Sequence, residues 1–211
     1  IINCDFENSL IKGKRSTSGI CNYSSGKKLL IDSCDIINCN IISEELNAAG
    51  IVNMGCYDNI VKNCNVVGCK IGNLNYTNLS SKVYVGGIVS YTQAVNVENC
   101  KVKDTQLNNI NNNTGGIIGC SWGSGNITGC IVENVDITSE KNNAAGIIGV
   151  SGGYTIKDCQ VIGGTINIKS PKQLVMEHMQ RLDDLGRTLN LIINTKIVSA
   201  QQKMDVVSGF S

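Results

Sequence analysis

AAGIIGVSGGYTIKDCQV, residues Ala144–Val161, contains both halves of a phrase that the chain repeats. Upstream, Ala48–Val52 reads AAGIV, Val85–Val89 reads VGGIV and Asn113–Ile118 reads NTGGII. Each is followed about fourteen residues after its glycine by a cysteine in a phrase such as KNCNV, ENCKV or TGCIV. Aligned on the thiol, Cys4, Cys34, Cys64, Cys100, Cys130 and Cys159 stand 30, 30, 36, 30 and 29 residues apart. Gly19, Gly50, Gly87, Gly116 and Gly146 keep the same rhythm. A period between about 20 and 50 residues is the mark of stacked repeats.

The columns of this alignment show which side chains point inward. Three before the thiol stand Ile1, Ile31, Val61, Val97, Ile127 and Ile156; two after it stand Phe6, Ile36, Val66, Val102, Val132 and Val161. Seven after it stand Ile11, Ile41, Ile71, Leu107, Ile137 and Ile166. The position directly after the thiol is polar, except at Ile131. Such alternation marks strands with one buried face, and it places the thiol on that face. Mostly polar pairs just before the thiol (Lys62-Asn63, Glu98-Asn99, Lys157-Asp158) mark a corner. The small pair at each glycine phrase suits a tight bend or a close approach of backbones. β-branched, glycine-punctuated segments rule against helical repeats.

The pattern predicts a mainly β fold: a parallel, right-handed β-solenoid of about six 30-residue repeats with three strands per coil, over residues 1–168. Coils about 4.8 Å apart would make a rod of roughly 25–30 Å. The six aligned cysteines are predicted to be structural inward thiols, with Cys39 and Cys69 forming a second, shorter ladder. A buried thiol is a small apolar filler, and parallel in-register side chains are poorly oriented for disulfides.

VGGIVS, TGGIIGC and AAGIIGV, each followed by a strand and a thiol corner, resemble the GLUG repeat of large bacterial surface and secreted proteins, adhesins among them. The resemblance covers roughly residues 1–168, and the earlier copies SGICN and AGIVNM lack its closing glycine. It implies a β-solenoid that presents a surface or acts as a spacer, at the cell surface or secreted, with a host or matrix glycan or protein as partner. It brings no catalytic residues.

At Ser170 the rhythm stops. Ser170 as N-cap, Pro171 in the first helical position and apolar residues spaced three to four apart from Val175 to Val207 predict an amphipathic helical segment over 169–211. It is read as a cap, as an oligomerisation helix or as the start of a further domain.

Eleven cysteines is an odd number, no C-x-x-C occurs, and the one histidine, His178, lies in the tail. Neither zinc nor another cofactor is implied. A net charge of +1 gives no reason to propose nucleic acid, and no apolar run approaches the roughly 18–20 residues of a membrane span. The chain opens at Ile1 inside a repeat, so we read it as part of something longer.

Parallel β-helices can carry polysaccharide lyases and glycosidases, which need converging carboxylates. The outward column Asp32, Lys62, Glu98, Thr128 and Lys157 mixes signs, and Glu44-Glu45 has no recurring partner. No catalytic residue is therefore assigned, and a non-enzymatic adhesive or spacer role is expected. A carbohydrate-active β-helix or a carbohydrate-binding module is the alternative. Six extra residues between Cys64 and Cys100 fall around GNLNYTNLSSKVY, Gly72–Tyr84. Solenoid insertions emerge as loops on one face, so Tyr76 and Tyr84 are candidates for stacking on a sugar.

Overall fold

The structure is a computed structural model, and it describes residues 1–24, 28–55, 58–73, 83–110, 113–140 and 143–168. Residues Ile1–Lys169 form one compact unit. The predicted helical segment over 169–211 and Tyr76 lie outside the described residues.

The compact unit is a parallel β-solenoid of about five turns. Each turn has five short strands where the periodicity predicts three. One turn runs Asp35–Ile37, Asn40–Ser43, Ala48–Ala49, Val52–Gly55 and Asn59–Lys62. We call the sheets built from these strands first to fifth. Among the described residues, the first two sheets have six strands and the other three have five.

The strand count differs because each apolar column belongs to its own sheet. Ile31, Ile36 and Ile41 are all fully buried, yet they sit on the fifth, first and second sheets. Their spacing of five is odd, so one continuous period-two strand would turn every other one outward. Left-handed corners absorb the odd residue. Asn3, Ser33, Asn63, Asn99, Gly129 and Asp158 turn the chain before each thiol, with φ between 51° and 65°. Asn8, Asn38, Gly68, Asp104, Asn134 and Gly163 make a second such corner, with φ between 48° and 66°. Asn, Asp and Gly tolerate this region best. Six of the asparagines, at Asn3, Asn8, Asn38, Asn63, Asn99 and Asn134, therefore have a geometric cause.

Register is kept from turn to turn: Val66 pairs with Ile36 on one side and Val102 on the other, and Val132 carries the column on to Val161. Backbone groups are thereby satisfied along the stack, and the inward aliphatics form one continuous core. The glycine column lies close against that core. A Cβ on Gly50 would come within 2.6 Å of Val66, and one on Gly87 within 2.8 Å of Val102.

Candidate functional site

The thiols make the most regular column. Cys34, Cys64, Cys100 and Cys130 are buried, Cys159 is half-buried and Cys4 is exposed. The inward assignment of Cys4 and Cys159 thus needs correction in degree: each lies on a terminal turn of the described solenoid, where stacking on one side is lost. All ten cysteines among the described residues are free.

Each thiol donates to the carbonyl two residues back, across the left-handed corner, at 3.1–3.5 Å. The apolar-filler reading missed this role. The same slot at the second corner shows it openly. Cys39 and Cys69 donate to Ile37 and Val67 at 3.3 Å, while the hydroxyls of Ser9 and Thr105 make the equivalent bonds at 2.7 and 2.8 Å. In four of the six turns the slot holds a short donor, sulfur or oxygen, while Val135 and Gly164 stand there in the other two. The signal lay in the alignment, where Ser9, Cys39, Cys69 and Thr105 each stand five residues after a ladder thiol.

Burial pushes the Cys120 thiol up to about 11, and it raises Cys34 and Cys69 as well. Cys100 is raised by hydrogen bonds to Cys130 and Cys64 and by burial. These raised thiols are protonated at neutral pH and are poor nucleophiles, whereas hydrogen bonds to Cys100 lower Cys64 and Cys130. Among the described residues, no three His, Cys, Asp or Glu side chains gather to hold a metal ion.

One substitution tests the corner-donor role. Cys69→Thr is expected to stay within about 1 kcal/mol of the parent, because a hydroxyl meets the same Val67 carbonyl and the Cys39 amide. Cys69→Ala removes the donor and is expected to cost about 1–3 kcal/mol. Denaturant midpoints would read both, and equal losses would leave the thiol as mere filler.

Among the described residues the carboxylates do not converge. Asp32 meets Lys62 at 3.2 Å and accepts from Asn63 and Ser33, and these contacts lower its pKa, with the Asn63 bond the largest cause. Glu133 is held between Lys101 and Lys103 and is likewise lowered. Glu44 and Glu45 pair separately with Lys12 and Lys14. A depression of about 300 Å³ on the fifth sheet mixes Leu30 and Ile60 with Lys28 and Asp58.

Charge is sorted by face. Among the described strands, the first, second and fifth sheets each contain both acidic and basic residues, from Glu7 and Lys12 to Lys157. Those of the third and fourth sheets carry none. Their polar side chains are mostly buried amides and hydroxyls, such as Asn53, Ser90 and Thr114; Asn113 accepts from Asn143, which precedes the next strand of the third sheet, at 2.9 Å.

Aromatic rings gather on these two sheets. Tyr84 of the third sheet is buried and stacks on Tyr91 of the fourth, with centroids 5.4 Å apart and planes inclined by 17°. Tyr84 is therefore not an open sugar platform. Burial raises its phenol. Trp122 is 65% exposed. Tyr23, 60% exposed, stands in the column Tyr23, Met54, Tyr91, Cys120, Val150. Every other exposed large hydrophobic lies at residue 30 or before, or at 156 or after, on the terminal turns. Sequence reading weighed the tyrosines near the insertion and passed over Trp122, which has no repeat column to mark it.

No family model and no curated protein matches the chain. Among solved structures, the crystal structure of a putative immunoglobulin A1 protease from Bacteroides ovatus is similar, with a TM-score of 0.60 and 19% sequence identity. The match covers 80% of this chain and 54% of that one, so the chain spans about half that neighbour's length. The likeness is one of fold, a β-solenoid.

Proposed function

We propose that this chain is a non-enzymatic repeat segment, surface-displayed or secreted, that works as an adhesive or spacer rod. In that reading it is a right-handed, six-repeat relative of GLUG proteins, with a host or matrix glycan or protein as partner. The supporting observation is the sorting of charge by face within an unbroken register. Acids and bases on the charged sheets pair between turns, as Asp32 and Lys62 do, while the described strands of the third and fourth sheets carry no charge. Among the described residues, no helix is long and apolar enough to cross a membrane.

The neighbour's printed name motivates a second reading, a peptidase, and the β-helix architecture a third, a polysaccharide-cleaving enzyme. The purified chain is to be incubated with immunoglobulin A1 and with a panel of polysaccharides, and tested in parallel for retention on mucin- and matrix-coated surfaces. Retention without cleavage is expected. Robust turnover of either substrate class would sink the non-enzymatic reading.

A further inference from the structure

We propose that the outer face of the fifth sheet, at strands Leu30–Asp32 and Asn59–Lys62, binds a second copy of this chain about a two-fold axis. This goes beyond the display reading and does not depend on it.

The two strands are neighbours in register, with Ile60 beside Leu30 and Lys62 beside Asp32. Ile31 and Val61 point into the core, which turns Leu30, Asp32, Ile60 and Lys62 outward. Just before each strand stands a left-handed residue, Lys28 with φ 65° and Asp58 with φ 60°. Both are exposed. Read from corner to strand end, one turn presents cation, leucine and anion, and the next presents anion, isoleucine and cation. Lys28, Leu30, Asp58 and Ile60 line the depression of about 300 Å³ on this sheet, and Leu30 is 36% exposed there. Beyond them the same columns hold Asn96 and Glu98, then Asn126 and Thr128. The inversion of charge is confined to these two turns.

A face whose charges invert between neighbouring turns is complementary to itself. Take a two-fold axis in the plane of the face, parallel to the strands and midway between these two. It keeps each residue's place along the strand and exchanges the turns. Lys28 then faces Asp58 of the second copy, Leu30 faces Ile60 and Asp32 faces Lys62, each twice. The outer pair decides the orientation. Among the described residues neither Lys28 nor Asp58 is in an ion pair, whereas Asp32 already meets Lys62 at 3.2 Å and accepts from Ser33 and Asn63. A two-fold along the stack would spend Lys28 on that satisfied Asp32. The strand-parallel axis gives each unpaired charge the other. Leu30 and Ile60 supply an apolar centre inside a charged rim, the usual anatomy of an interface. A polyanion such as nucleic acid would meet as many repelling as attracting charges. Two short strands offer far less than the roughly 800 Å² per partner of a standard interface, so the association is weak and reversible.

The full chain is to be followed by sedimentation equilibrium from about 1 to 500 µM, the range suited to a weak contact. A reversible monomer–dimer equilibrium is expected, weakened several-fold in salt of about 0.5 M, where exposed charges are screened. Lys28→Asp and Asp58→Lys each set like charges face to face, and each is expected to raise the dissociation constant about tenfold or more. Both positions are exposed, so melting midpoints should not move. An equimolar mixture of the two variants is expected to dimerise again, because the introduced carboxylate of one faces the introduced ammonium of the other. The double variant should return to within about threefold of the parent. A parent that stays monomeric throughout would give the patch to some other partner and overturn the proposal. A dimer that both single variants retain would place the contact elsewhere, with the same result. Monomeric single variants that fail to complement on mixing would equally sink it.

Discussion

Gly87→Ala is expected to destabilise the solenoid by about 3 kcal/mol or more. The added Cβ would stand 2.1 Å from the carbonyl oxygen of Gly116 and 2.8 Å from a methyl of Val102. Neither neighbour can give way. The backbone of Gly87 is tied on both sides, accepting from the Gly50 amide at 3.1 Å and donating to Gly115 at 3.2 Å. Val102 is fully buried within its own column. Separating the turns locally would break hydrogen bonds above and below, so the strain spreads along the stack. Gly153→Ala is the matched control. A Cβ there meets only the side chain of Ser124, at 3.7 Å, and removing a glycine from the unfolded chain is mildly stabilising, by about 0.4–1 kcal/mol. Denaturant midpoints of the two variants should move in opposite directions. Equal shifts would show that the glycine column has slack.

Tyr154→Ala is expected to cost about 3–5 kcal/mol. Tyr154 pairs with Gly125 of the preceding turn, and its ring fills the space that glycine leaves, within 2.9 Å of where a Cβ would stand. Its hydroxyl reaches the turn beyond, accepting from the Val95 amide at 3.0 Å, and the Ser121 hydroxyl donates to it at 3.3 Å. One side chain thus ties three successive turns. Tyr154→Phe keeps the ring but leaves the Val95 amide without that acceptor, for about 1–2 kcal/mol. Burial raises the phenol above its ordinary value of 10. Its contribution is therefore complete below pH 10 and is lost as pH rises through the raised value. Thermal melts of parent and Tyr154→Phe across the alkaline range test this. A parent whose midpoint falls with pH no faster than that of the phenylalanine variant would contradict it.

Much of the architecture was legible in the columns. Ile36, Val66 and Val102 repeat at fixed offset from the thiol because each must fill the same slot of the same cross-section. The strand count was not legible, since hydrophobic alternation reports which side is buried but not where the chain turns. The odd spacing of Ile31, Ile36 and Ile41 held that information, and reading it requires knowing that one left-handed residue can reset the alternation. Asn38, Asn63 and Asn99 are such residues. Tyr154 was hidden for the opposite reason: it breaks its column, and the glycine it compensates lies in another turn. The candidate site was hidden similarly. Tyr84 stood beside the insertion and drew attention, but only the fold brings it against Tyr91. The absence of charge from two sheets becomes visible only once the strands are sorted into faces.

The pairing of each strand with its counterparts in the turns above and below has a mechanical consequence. The hydrogen bonds between turns lie along the stacking direction, while the strands run across it. A pull applied along that direction would not shear whole strands past each other, which loads many bonds together. It would peel them open in sequence, one short strand after another, beginning at the end turn. Each turn released would free about 30 residues, or roughly 100 Å of extended chain. Such a rod would pay out length in instalments under load, and could close again turn by turn on the template left standing.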